Sequence, residues 1–133
     1  MILKSSLQSN YTLTTGMAPV TGVKIVIQED GLYDVRLKVN TSFSAGGGSH
    51  FAKLTLNSTI VLTSGGQVYI NAGTTPIMNI SSSSFLYLKK DDVLEIYAKY
   101  DGSATGTLPA TSTSAYANYI EAVNLTKLAR GGM

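Results

Sequence analysis

Residues 31–43 read GLYDVRLKVNTSF, a glycine turn opening onto cleanly alternating chain. Tyr33, Val35, Leu37, Val39 and Phe43 fall on one side; Asp34, Arg36, Lys38 and Asn40 fall on the other. A β-strand has a side-chain period of two, so the stretch has one dry face and one wet face. A half-wet strand belongs to an antiparallel sheet, because parallel sheets are covered on both sides. The fold class is therefore all-β, a sandwich or barrel.

The rest of the chain agrees with this class. Val, Ile, Thr, Tyr and Ser dominate, and no long stretch has a 3.6-residue period. Further strands are expected at Tyr11–Thr14, Val23–Gln28, Phe51–Leu56, Ile60–Thr63, Val68–Asn71, Leu94–Tyr100 and Tyr119–Leu128. Pro76–Ile80 and Phe85–Leu88 read as one irregular strand, and Asn57-Ser58 as a tight turn. About eight to ten strands joined by turn residues describe a sandwich of jelly-roll type. Three stretches read as soft connections: Ser44–His50, Ser81–Ser84 and the long polar loop Asp101–Ala115. Residues 1–15 are expected to form an N-terminal arm or first strand, and Ala129–Met133 a frayed tail of one domain spanning 1–133.

Composition narrows the function. Only 14% of the 133 residues are charged and the formal net charge is +2. The basic residues are scattered, and Lys89-Lys90 is followed at once by Asp91-Asp92. No cluster supplies the footprint of a nucleic-acid binder. Ser, Thr, Asn and Gly provide the polar surface instead, which suits close packing of copies and contact with saccharides. There is no cysteine, so disulfides and thiolate metal sites are excluded. Met1–Leu7 lacks an apolar core of signal-peptide length, and no later run is long enough to span a bilayer. A chain made in a cytoplasm, with no membrane partner, is expected. The N-x-S/T triplets at Asn10, Asn40, Asn57, Asn79 and Asn124 are what a Ser/Thr-rich chain yields by chance.

Phe85–Tyr100, FLYLKKDDVLEIYAKY, reads as strand, turn, strand. It resembles the L-x-x-G-D-x-V-x-L hairpin of C1q/TNF-like jelly rolls. Leu88, Asp92, Leu94 and Ile96 match, and Asp91 stands where the family has glycine. Gly31-Leu32-Tyr33-Asp34-Val35 is similar to the family's G-x-Y-x-F strand, with Val35 in place of the aromatic. Tyr119–Leu128 occupies the place of the closing strand, although NYIEAVNLTKL departs from the usual F-x-G-x-L ending. The resemblance covers residues 20–128 in order. It implies a compact homotrimer with an apolar surface along the threefold axis.

The residues supply separate support for such a surface. If Leu94, Ile96 and Ala98 point inward, then Val93, Tyr97 and Tyr87 point outward. If Val123 and Leu125 are core, then Ile120 and Ala122 need another cover. Outward aromatics on neighbouring strands are typical of a subunit interface. Tyr87, Val93, Tyr97, Tyr119 and Ile120 are therefore the interface candidates. Asp101, Ser103, Thr105, Thr107 and Thr111 on the long loop are the candidates for contact with another partner.

No catalytic constellation emerges. His50 is the only histidine and follows Gly46-Gly47-Gly48-Ser49, too soft a setting for a general base, so it reads as a surface residue. Asp91 and Asp92 are adjacent and diverge; Asp30, Asp34, Glu95 and Glu121 have basic neighbours and no apolar run to raise their pKa values. Asp101-Gly102-Ser103 with Asp91-Asp92 is a weak calcium pattern. No phosphate loop, dinucleotide fingerprint or zinc spacing occurs, and no cofactor is expected. The expectation is a non-enzymatic virion protein of a bacteriophage. It would be a trimeric capsid decoration or cement protein that docks on the major capsid protein. The alternative is the receptor-binding head of a tail or head fibre, taking a host-surface saccharide. A glycosidase or esterase fits least.

Overall fold

A computed structural model of the chain describes residues 2–43, 48–69, 77–102, 106–108 and 118–129. In chain order the elements are β1 (Ile2–Ser6), β2 (Tyr11–Thr12), β3 (Ala18–Val26), β4 (Gly31–Phe43) and β5 (Gly48–Leu56). They continue with β6 (Ile60–Tyr69), β7 (Ile77–Leu88), β8 (Val93–Gly102), β9 (Gly106–Leu108), β10 (Tyr119–Asn124) and one helical turn, α1 (Leu125–Ala129).

The alternating stretch that opens the sequence reading is β4, the spine of the first sheet. β7 pairs with it antiparallel from Gly31↔Leu88 to Ser42↔Ile77. Its other edge is shared end to end by β10, opposite residues 33–38, and β9, opposite Ser42 and Phe43. β1 extends the sheet beyond β10, and β2 extends it beyond β9. The second sheet runs β3-β8-β5-β6, again antiparallel throughout. Two antiparallel sheets packed face to face in this order make a β-sandwich of jelly-roll type.

Between the sheets lies one core. Tyr33, Val35, Leu37, Val39, Ile120 and Ala122 come from the first sheet. Val23, Ile25, Ala52, Leu54, Leu94, Ile96 and Ala98 come from the second. Each set occupies alternate positions, so the pleat itself sorts dry from wet. Two irregularities keep the phase. β3 changes register between Pro19 and Lys24, around Gly22 at φ +88°. The bulge lets both Val20 and Val23 face the core, and Pro19 is tolerated because β3 is an edge strand. β5 slips against β6 between Leu54 and Thr55, and both of these are buried.

The turns follow their residues. Asn57 and Ser58 both have positive φ, 53° and 65°, as a tight hairpin turn requires. Asp91 has φ 75°, which explains why the resembling family uses glycine at that place. Gly31 has no Cβ because one would lie 2.8 Å from Oδ1 of Asn124. That asparagine caps α1 by accepting from the Lys127 backbone N–H at 2.9 Å, and it donates to the Tyr33 hydroxyl at 3.1 Å. Tyr33 in turn donates to the Glu29 carbonyl at 2.8 Å, and burial raises its pKa above the ordinary tyrosine value. The glycine, the tyrosine and the end of β10 are thus one packed corner.

Several boundaries differ from the sequence reading. The N-terminal segment takes the first-strand alternative: β1 pairs with β10 along Ile2–Ser6. Ser81–Ser84 is not a soft connection: each of these residues is in register with β4, Ser81 with Lys38 through Ser84 with Val35. The expected strands Ile60–Thr63 and Val68–Asn71 are joined in β6, and residues 70–76 lie outside the described residues. The loop drawn over Asp101–Ala115 contains strand at both Asp101-Gly102 and Gly106–Leu108. The closing strand ends at Asn124 and turns into α1, which takes Ala129 from the expected tail; residues 130–133 lie outside the described residues.

Candidate functional site

Register alone assembles the outer face of the first sheet. Its first row is Tyr87 beside Leu32. The second is Phe85, Asp34, Val123 and Ile2, running across β7, β4, β10 and β1. The third is Ser83, Arg36, Glu121 and Lys4, and the fourth is Ser81, Lys38, Tyr119 and Ser6. One end of the face is therefore apolar and the other charged. Phe85 is 70% exposed and Tyr87 63%, with Ile2 and Leu32 also exposed. Large side chains so placed on one surface are uncommon in a protein that has no partner.

Asp34 stands within the apolar rows, yet only 8% of it is exposed. Arg36 donates to its Oδ2 from Nε at 3.2 Å and Nη2 at 3.0 Å. Its Oδ1 is buried and accepts no hydrogen bond among the described residues. An acceptor left in this state favours any neighbour that can donate to it. Lys4 completes the charged end, with Nζ 4.5 Å from the centre of the Tyr119 ring.

The interface candidates read from the sequence do not form one surface. Tyr87 and Tyr119 lie on this face. Val93 and Tyr97 are half-buried on β8, on the outer face of the opposite sheet. Ile120 must be corrected: it is 0% exposed and packs in the core. The phase of β10 is the reverse of the one assumed, with Ile120 and Ala122 inside and Val123 and Leu125 half-buried. Asn124 sets this phase, because its capping of α1 and its bond to Tyr33 demand that it point inward. Phe85, Leu32 and Ile2 are the additions. Phe85 shares parity with Tyr87, so a strict period of two applied to FLYL would have found it.

The loop candidates also separate. Asp101 is exposed at the end of β8 and pairs with Lys99 at 3.3 Å. Thr107 is half-buried in β9, in register with Thr12 and Ser42. Ser103, Thr105 and Thr111 lie outside the described residues.

Among the described residues, the side chains weighed for catalysis and for calcium stand apart. His50 is not on the surface: it is 1% exposed, and Nδ1 shares a hydrogen bond with the Thr41 hydroxyl. Burial pushes its pKa down to about 4. Asp92 serves its turn, accepting from the Lys89 backbone N–H at 2.9 Å and from Asn57 Nδ2 at 3.1 Å. These bonds hold its carboxyl below the usual carboxylate value. Asp92 and Asp101 flank opposite ends of β8, about 30 Å apart at a strand's rise, so they cannot share a calcium ion. No three His, Cys, Asp or Glu converge among the described residues. Nor, among those residues, is any helix long and apolar enough to cross a membrane.

No protein-family model matches the chain, and no curated protein sequence matches it. Among solved structures it is similar to Eiger TNF from S. frugiperda, with a TM-score of 0.57 and 13% identity over 92% of each chain. That likeness establishes a TNF-like jelly-roll fold.

Proposed function

We propose that this chain is a non-enzymatic structural protein that assembles as a homotrimer and decorates the head shell of a bacteriophage, docking on the major capsid protein. The observation that carries the assembly is the apolar end of the first sheet's outer face, where Phe85, Tyr87, Leu32 and Ile2 gather around Asp34. Three as the number of copies rests on the family resemblance in the sequence. Attachment to a shell rests on the low charge and the Ser/Thr/Asn-rich surface, which suit close packing against other subunits. The physical advantage of such a trimer is multivalent: three weak contacts held together become one strong attachment.

Light scattering tests the assembly. A mass about three times 14.0 kDa is expected, and a mass near 14.0 kDa overturns it. Immunogold labelling of phage particles tests the attachment. Label over the shell is the expected result. Label confined to a tail tip or fibre replaces it with a receptor-binding head.

A further inference from the structure

The outer face of the second sheet carries a separate feature. A groove of about 470 Å³ lies across β5, β6 and β8, lined by Met17, Phe51, Lys53, Ser64, Gly66 and Lys99. The register explains its shape. Gly66, Phe51 and Lys99 stand side by side in one row; Ser64, Lys53 and Tyr97 stand in the next. A Cβ on Gly66 would lie 2.4 Å from Cδ1 of Phe51, so the phenyl ring rests directly on the glycine backbone. Gly66 therefore leaves the sheet without a side chain at this point of the outer face, and the ring occupies the space.

The cations are equally placed. Lys99 Nζ lies 5.3 Å from the centre of the Phe51 ring, and Lys53 Nζ 5.6 Å from that of Tyr97. Asp101 neutralises Lys99, whereas Lys53 makes no ion pair among the described residues. Among the described residues no carboxylate lines the groove. One aromatic ring, one uncompensated ammonium group and a neighbouring hydroxyl are what a pyranose bearing a negative charge requires. The ring stacks on the apolar face of the sugar, the ammonium meets its anion, and Ser64 meets its hydroxyls.

We propose that this groove binds an acidic saccharide, a pyranose carrying a carboxylate, with Phe51 as stacking platform and Lys53 as its counter-charge. A nucleic acid fits less well, because one free cation beside one ring cannot track a phosphate backbone. The site lies on a sheet face rather than on loops. It also lies within one chain, on the sheet opposite the assembly face, so a monomer that binds the sugar would end the trimer proposal and leave this one intact.

The test is calorimetric titration of the full chain with digalacturonate, its uncharged counterpart galactobiose, and a short single-stranded oligonucleotide. Binding of digalacturonate at least about tenfold tighter than galactobiose is expected, the scale of one charge-assisted hydrogen bond. Lys53→Gln should remove that preference, and Phe51→Leu should weaken both sugars, while circular dichroism of each variant stays unchanged. No sugar binding, equal binding of the two sugars, tighter binding of the oligonucleotide, or an unaltered preference in Lys53→Gln would each overturn the proposal.

Discussion

Thr41 on β4 and His50 on β5 meet between the two sheets, the threonine hydroxyl against Nδ1 of the imidazole. The pair is a polar contact inside an apolar sandwich, and it joins the spine of the first sheet to the middle of the second. Burial favours the uncharged ring, with a folded pKa of about 4 against 6.5 for the free side chain. Between those values the unfolded chain binds the proton and the folded chain does not. The contribution of His50 to stability is therefore full above pH 6.5, falls as the pH drops towards 4, and levels off below. The loss amounts to about 3 kcal/mol. Urea titrations from pH 7.5 to 4 should show it, and His50→Gln should flatten the slope in that window.

Replacing Phe85 and Tyr87 with serine separates assembly from folding. Both side chains project from β7 into solvent in the single chain. Their loss should change the unfolding free energy of the chain itself by no more than about 0.5 kcal/mol. The same pair of substitutions should reduce the mass in solution to that of one chain. A variant that remains a trimer would move the interface elsewhere.

Gly31→Ala should destabilise the fold by about 1–3 kcal/mol, because the new methyl group meets Asn124 at 2.8 Å. The damage passes through one side chain that both caps α1 and holds Tyr33. Adding Asn124→Ala to Gly31→Ala should therefore cost less than the sum of the two separate losses. Additivity within about 0.5 kcal/mol would show that the glycine acts through something else.

The Asn57–Asp92 contact ties the β5–β6 turn to the β7–β8 turn. Asn57 accepts from the Val93 backbone N–H at 2.8 Å and donates to Asp92 Oδ1 at 3.1 Å, in a left-handed conformation at φ 53°. Asn57→Ala removes both bonds and strains the turn, for a loss of about 2 kcal/mol; Asn57→Gly loses the bonds without the strain and should cost less. Asp92 has a lowered folded pKa, so its stabilisation is present at neutral pH and disappears as pH falls through that value. In Asn57→Ala the folded pKa rises towards the ordinary value, so the acid loss should be smaller and end at a higher pH. Identical acid limbs for wild type and variant would remove Asn57 as a cause of the shift.

Alternation over Gly31–Phe43 determined the all-β class by itself, since a period of two is a local property that every later packing step must respect. The same holds for the turn at Asn57-Ser58, where two positive φ values need residues that tolerate them. Phase and partnership were not local. Which side of β10 faces inward depends on Asn124 reaching Tyr33, 91 residues away. Ser81–Ser84 is strand because β4 supplies the partner groups that a serine run cannot supply for itself. His50 is buried because β5 starts two residues before it and turns its ring onto Thr41. The Phe51 groove depends on Gly66, which only the pairing of β5 with β6 brings beneath the ring. Local chemistry sets what each segment can be; contacts between distant segments decide which face meets the core, which meets solvent, and where a surface for a partner forms.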